Sequence, residues 1–121
     1  MKRTILVLVS LVIFLTACVN QQDEKYETIS LEKVNELREN VQVIDVRTPD
    51  EYHSGHIPNA INIPLDDIEN QLTSLEQYES FILICQSGNR SQQASEILAK
   101  NEVSGFYNAE DGMRNWRYEI E

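Results

Sequence analysis

Positive charge, cysteine and long apolar runs are all scarce in this 121-residue chain. Ten lysines and arginines face 20 aspartates and glutamates, giving a net charge of −10. Nonspecific nucleic-acid binding needs cations to displace phosphate counterions, so no nucleic-acid partner is expected. The same charge disfavours docking of a folded domain on anionic lipid. Only two cysteines occur, Cys18 and Cys85, with no Cys-x-x-Cys pair. The two histidines, His53 and His56, lie in a segment without a second thiol. That set argues against a metal site, and neither metal nor cofactor is expected. The main apolar run, Ile5 to Leu15 broken by Ser10, is shorter than the ~20 residues a membrane-spanning helix needs. Repeats and low-complexity tracts are missing too, and the length allows one small domain.

What is present begins with a leader. Lys2 and Arg3 precede the apolar run, and small residues close it. That order marks a secretory signal, and residues 1–17 are read as one. Leu15-Thr16-Ala17-Cys18 resembles the bacterial lipobox, which implies lipid on Cys18. Two acyl chains suffice for stable anchoring, so the expectation is an exported lipoprotein on the outer face of the bacterial cytoplasmic membrane. Residues 18–27 are read as the lipidated cysteine and a polar tether, and 28–121 as the domain. Without Lys2 and Arg3 the remainder holds 8 basic and 20 acidic residues, a charge of −12. With Cys18 carrying lipid, Cys85 has no intrachain disulfide partner, which points to a reactive or an intermolecular thiol.

The remaining pattern alternates strands and helices. Ser30 to Glu39 places Leu31, Val34 and Leu37 on one helical face, with Ser30 as N-cap. Val41 to Val46 reads as a β-branched strand. Thr48-Pro49-Asp50-Glu51 reads as a helix start, ended by Gly55. Ala60 to Pro64 predicts a short strand, and Pro64 to Leu75 a brief helix and loop. Phe81 to Cys85 is continuously apolar, as a strand covered on both faces is. Ser91 to Lys100 predicts a helix, Gly105 to Ala109 a strand, and Gly112 to Glu119 a last short helix carrying Met113 and Trp116. This order predicts an α/β fold with a mostly parallel sheet.

In such sheets ligands bind beyond the carboxyl ends of the strands. Cys85 ends the most apolar strand, and the loop Gln86-Ser87-Gly88-Asn89-Arg90 leads to the helix opened by Ser91. Backbone N–H groups at a helix start stabilise an anion, and the same field favours a thiolate. Arg90 adds positive charge, and Gly88 lets several N–H groups converge. The alternative is a buried structural thiol, a common state for free cysteine. His56 reads as a structural group bonded to its own turn, with a catalytic base as the alternative. Asp45 and Arg47, at the end of a neighbouring strand, read as a structural pair near the site, with Glu51 as another possible partner for Arg47.

Three stretches carry a more specific resemblance. "VIDVRTPDEYHSGHIPNAINIP" (Val43 to Pro64), "CQSGNRS" (Cys85 to Ser91) and "DGMRNW" (Asp111 to Trp116) follow one another as the motifs of single-domain rhodaneses do. The chain thus resembles the rhodanese, or thiosulfate sulfurtransferase-like, family. The resemblance implies a central, mostly parallel sheet with helices on both faces. It implies a sulfurtransferase in which Cys85 accepts a sulfane sulfur from thiosulfate, a persulfide or a polysulfide. The resulting persulfide passes its sulfur to a thiol-type acceptor, or to cyanide. The backbone of Gln86, Ser87, Gly88, Asn89, Arg90 and Ser91 would cradle the anion, with Asp45, Arg47 and His56 in support. The six-residue loop from Cys85 to Arg90 resembles the sulfur-transfer form. Related phosphatases and arsenate reductases have a loop one residue longer. Gln86 is neutral where good thiosulfate users often carry a cation, so a persulfide or polysulfide is the better expected donor. A persulfide-carrying or partner-binding module with little turnover is the alternative function, and a monomer is the expected state.

Overall fold

The computed structural model describes residues 25–121. The residues read above as a signal peptide, Cys18 with its expected lipid, and most of the expected tether lie outside the described residues. Among the described residues no helix is long and apolar enough to cross a membrane.

Five strands form one sheet: β1 (Tyr26–Ile29), β2 (Gln42–Asp45), β3 (Ile61–Asn62), β4 (Phe81–Ile84) and β5 (Phe106–Ala109). Their order is β1-β5-β4-β2-β3, and every pairing is parallel. The helices are α1 (Leu31–Leu37), α2 (Pro49–His53), α3 (Leu72–Leu75) and α4 (Asn89–Lys100). Two 3-10 segments, Leu65–Gln71 and Met113–Asn115, complete the elements.

The period-2 alternation of β4 divides the core. Phe81, Leu83 and Cys85 point to one face and join Ile68, Leu75, Ala94 and Leu98. Ile82 and Ile84 point to the other and join Val34, Ile57 and Ala60. Both faces are covered, so all four β4 residues are buried. That is why the strand reads as an unbroken apolar run rather than an alternating one.

Local chemistry fixes the helix starts. Ser30 Oγ accepts from Lys33 N and caps α1. Thr48 and Glu51 form a reciprocal capping box at α2, with Pro49 at the first turn.

The sheet order also locates a crevice. From β4 the chain crosses through α4 to β5, while from β2 it crosses through α2 to β3 on the opposite side. The loops after β4 and β2 therefore diverge at a topological switch point, where open α/β sheets take their ligands.

Two expectations need correction and a third gains detail. Strand β1 starts before residue 28. Tyr26 and Glu27, read as tether, are the first residues of β1 and pair with Phe106 and Tyr107. The Tyr26 ring stacks on Phe106 at 5.1 Å, which supplies apolar contact that the polar local sequence does not advertise. Leu65–Gln71 winds as a 3-10 helix before the single α-turn of α3. Gly112 to Glu119 is not a helix beyond the turn Met113–Asn115. After Trp116 the chain runs to Glu121, whose N–H donates to His56 O at 2.8 Å while His56 N–H donates to Glu121 O at 3.2 Å.

Candidate active site

Cys85 follows the last residue of β4 at the switch point. The residue has 0% exposure and is a free cysteine. Its Sγ receives the Gly88 N–H at 3.1 Å and lies 3.6 Å from Ser91 Oγ. Ser91 Oγ in turn donates to Gly88 O at 3.1 Å. Gly88 caps α4 with φ 96°, a left-handed conformation that L side chains rarely adopt. This conformation turns its N–H back onto the sulfur at the positive end of a 12-residue helix.

The loop is held from beneath by the segment after β5. Met113 N–H donates to Cys85 O at 2.8 Å, and Arg114 N–H donates to Gln86 O at 3.1 Å. Gly112 makes this approach possible: a methyl group there would collide with Gln86's carbonyl group and lie 2.5 Å from Cys85 O. Gly88 is similarly confined, since its Cβ would lie 2.5 Å from Glu110 O. Gly112→Ala is therefore expected to lower stability by about 1–3 kcal/mol through overpacking. A urea titration giving an unchanged midpoint would contradict this packing.

Beside the loop stands a buried ion pair. Asp45 is 0% exposed and Arg47 3%. Asp45 Oδ2 accepts from Arg47 Nη2 at 2.8 Å, and Oδ1 accepts from Arg47 N and Nε, each at 3.0 Å. Arg47 then donates through Nη2 to Gly55 O at 2.7 Å and through Nη1 to Gln86 Oε1 at 3.2 Å. It thus links the β2 end, the turn after α2 and the cysteine loop. His56 sits behind that turn, its Nδ1 2.9 Å from Tyr52 O and its ring stacked on Tyr52 at 3.8 Å. Among the described residues, no hydrogen bond joins His56 to Cys85.

Arg90 does not stand free. Its Nη1 and Nη2 donate to Glu51 Oε1 and Oε2 at 2.6 and 2.9 Å. This bidentate pair ties the loop to α2. The sequence offers Glu51 only as a first-turn acid and an alternative partner for Arg47. Its role as the brace of the cysteine loop comes from a residue 39 positions away. The Arg90 guanidinium, with help from Thr48, draws the Glu51 carboxyl from its usual 4.5 down to about 2. A depressed carboxyl contributes stability that is present above its unfolded value and lost as pH falls through its folded value. Between pH 4.5 and about 2, wild type is expected to lose more melting temperature than Glu51→Gln. Parallel curves for the two proteins over that window would refute the brace.

Residues 30–119 match the family model of the rhodanese-like domain. The chain belongs to that family. This rhodanese-like domain is 28% identical over 95 residues to the thiosulfate sulfurtransferase GlpE of Pseudomonas aeruginosa, covering 78% of this chain and 86% of GlpE. It is 35% identical over 78 residues to YrkF of Bacillus subtilis, provisionally named a sulfur carrier protein. That match covers 64% of this chain and spans only 42% of the length of YrkF. Among solved structures, a rhodanese-like domain protein from Staphylococcus aureus superposes with a TM-score of 0.69 at 37% identity, covering 78% of this chain and 96% of that one. Homologues named sulfurtransferases and the parallel sheet agree with the fold class expected from the motifs.

Proposed function

We propose that the protein is a rhodanese-type sulfurtransferase that moves a sulfane sulfur through a persulfide on Cys85. The observation that carries this reading is the seat of the thiol. Cys85 is a free cysteine at the switch point, facing the N-terminus of α4, with the Gly88 N–H on its sulfur. A thiolate attacks the outer sulfur of the donor, a new S–S bond forms, and the donor's remaining fragment leaves with the electron pair of its broken bond. A thiol or cyanide then attacks the outer sulfur and returns Cys85 to the thiolate. Both the persulfide and the donor are anions, and both suit fixed N–H donors. The six-residue loop from Cys85 to Arg90 supports sulfur over a tetrahedral phosphate. We further propose that residues 1–17 direct export and that lipid on Cys18 anchors the domain outside the cytoplasmic membrane.

One observation favours a slower, carrier-like behaviour. Cys85 is sealed from solvent at rest, so sulfur loading requires the loop to part enough to admit the donor's outer sulfur. Turnover separates the two readings. An enzyme forms many thiocyanates per protein when supplied with donor and cyanide. A carrier releases one equivalent and then stalls at the rate of reloading.

A further inference from the structure

Three arginines touch the Cys85 loop, and among the described residues each meets a carboxylate. Arg47, which reaches Gln86, is held by buried Asp45. Arg90, within the loop, is clasped by Glu51 at 2.6 Å. Arg114, whose N–H bonds Gln86 O, lies 4.0 Å from Asp111. Asp111 itself is fixed on the loop's rim, accepting from Asn115 Nδ2 at 2.7 Å and from Gly112 N at 2.8 Å. Each of these three arginines thus has a carboxylate beside it, hydrogen-bonded for Arg47 and Arg90 and at 4.0 Å for the more exposed Arg114. Gln86, next to the cysteine, is neutral and already bonded to Arg47. A lysine or arginine there would face the Arg47 guanidinium. Beyond the site, the chain's charge of −10 repels dianions over longer range.

We propose that Glu51 is a specificity-determining residue: by neutralising Arg90 it sets the site to accept sulfane-sulfur donors of at most one negative charge. The substrate class is then organic persulfides and thiosulfonates rather than the thiosulfate dianion. This inference rests on the sulfur-transfer reading above. With either donor the reaction balances without a further reactant. The Cys85 thiolate takes the outer sulfur as a persulfide, and thiosulfate leaves as sulfite or methanethiosulfonate as methanesulfinate. Backbone N–H groups can hold one anionic sulfur in both cases. The second charge of thiosulfate finds the guanidinium groups of Arg47 and Arg90 already hydrogen-bonded to Asp45 and Glu51.

The test compares kcat/KM for methanethiosulfonate and thiosulfate, with cyanide as acceptor, in wild type and Glu51→Gln. Taking the ratio within each protein, and then its change between proteins, removes the donors' intrinsic reactivity. Releasing one positive charge acts twice as strongly on a dianion as on a monoanion. Glu51→Gln should therefore shift the ratio toward thiosulfate by roughly three- to tenfold. The neutral double variant Glu51→Gln/Arg90→Gln should return it toward wild type. If Glu51→Gln does not fold, Asp111→Asn tests the same logic at Arg114 and should shift the ratio in the same direction, less strongly. An unchanged ratio in the folded variants overturns the role of Glu51 and leaves sulfur transfer standing. Failure of both donors to load wild type overturns both.

Discussion

Cys85→Ser is expected to abolish sulfur transfer while leaving the fold intact. The change replaces sulfur by oxygen at a site already lined by Gly88 N–H and Ser91 Oγ, both of which can bond a hydroxyl. Stability should shift by less than about 1 kcal/mol, because no cavity of methyl size opens. Chemistry responds differently. A serine hydroxyl is not ionised near neutral pH and forms no persulfide, so activity should fall by at least about a thousandfold, the scale seen when a covalent nucleophile is removed. Thiocyanate formation with a reactive donor and cyanide reads the loss. Residual turnover within tenfold of wild type would place the sulfur elsewhere.

The largest expected effect on stability belongs to Asp45→Asn. Asp45 and Arg47 are both buried, and the Asp45 carboxylate is the charged partner of the guanidinium. An amide keeps the shape and part of the hydrogen bonding but leaves an uncompensated cation inside the protein. Breaking a buried pair from one side costs about 3–5 kcal/mol. Against the 5–15 kcal/mol that holds a small domain together, that is a large share. The melting temperature should fall by more than about 10 °C. The loop should loosen as well, since Arg47 also holds Gln86 Oε1 and Gly55 O. Removing both charges, as in Asp45→Asn/Arg47→Met, should recover part of the loss, because no buried ion is then left alone. A fall in stability below about 1 kcal/mol for Asp45→Asn alone would mean that solvent reaches the pair.

What the sequence discloses and what it hides differ by the range of the interaction. The start of α2 is legible in Thr48-Pro49-Asp50-Glu51 because the capping box closes within four residues. β4 is legible because burial on both faces writes an apolar run directly into Phe81 to Ile84. The cysteine loop is legible as strand, glycine and helix start, all neighbours in the chain. β1 is not, because only Ile29 among its four residues is buried, and its order comes from pairing with β5 some 80 positions away. The helix expected after Gly112 fails for a related reason. Met113 and Trp116 have helical spacing, but after one 3-10 turn Trp116 takes an extended backbone, ψ 124°, and the chain leaves to meet His56, some 60 positions back in the sequence. Glu51 illustrates the limit most clearly. Its place in the first turn of α2 is visible, yet its role as the brace of Arg90 exists only once α2 and α4 converge on the switch point.

The central claim is a persulfide on Cys85, and intact mass tests it most directly. The purified protein is incubated with methanethiosulfonate, with a polysulfide and with thiosulfate in separate arms, then desalted and weighed before and after cyanide. The account predicts a gain of one sulfur atom that maps to the peptide containing Cys85, disappears with cyanide and is absent in Cys85→Ser. No gain from any donor, or a gain that survives the loss of Cys85, would contradict it.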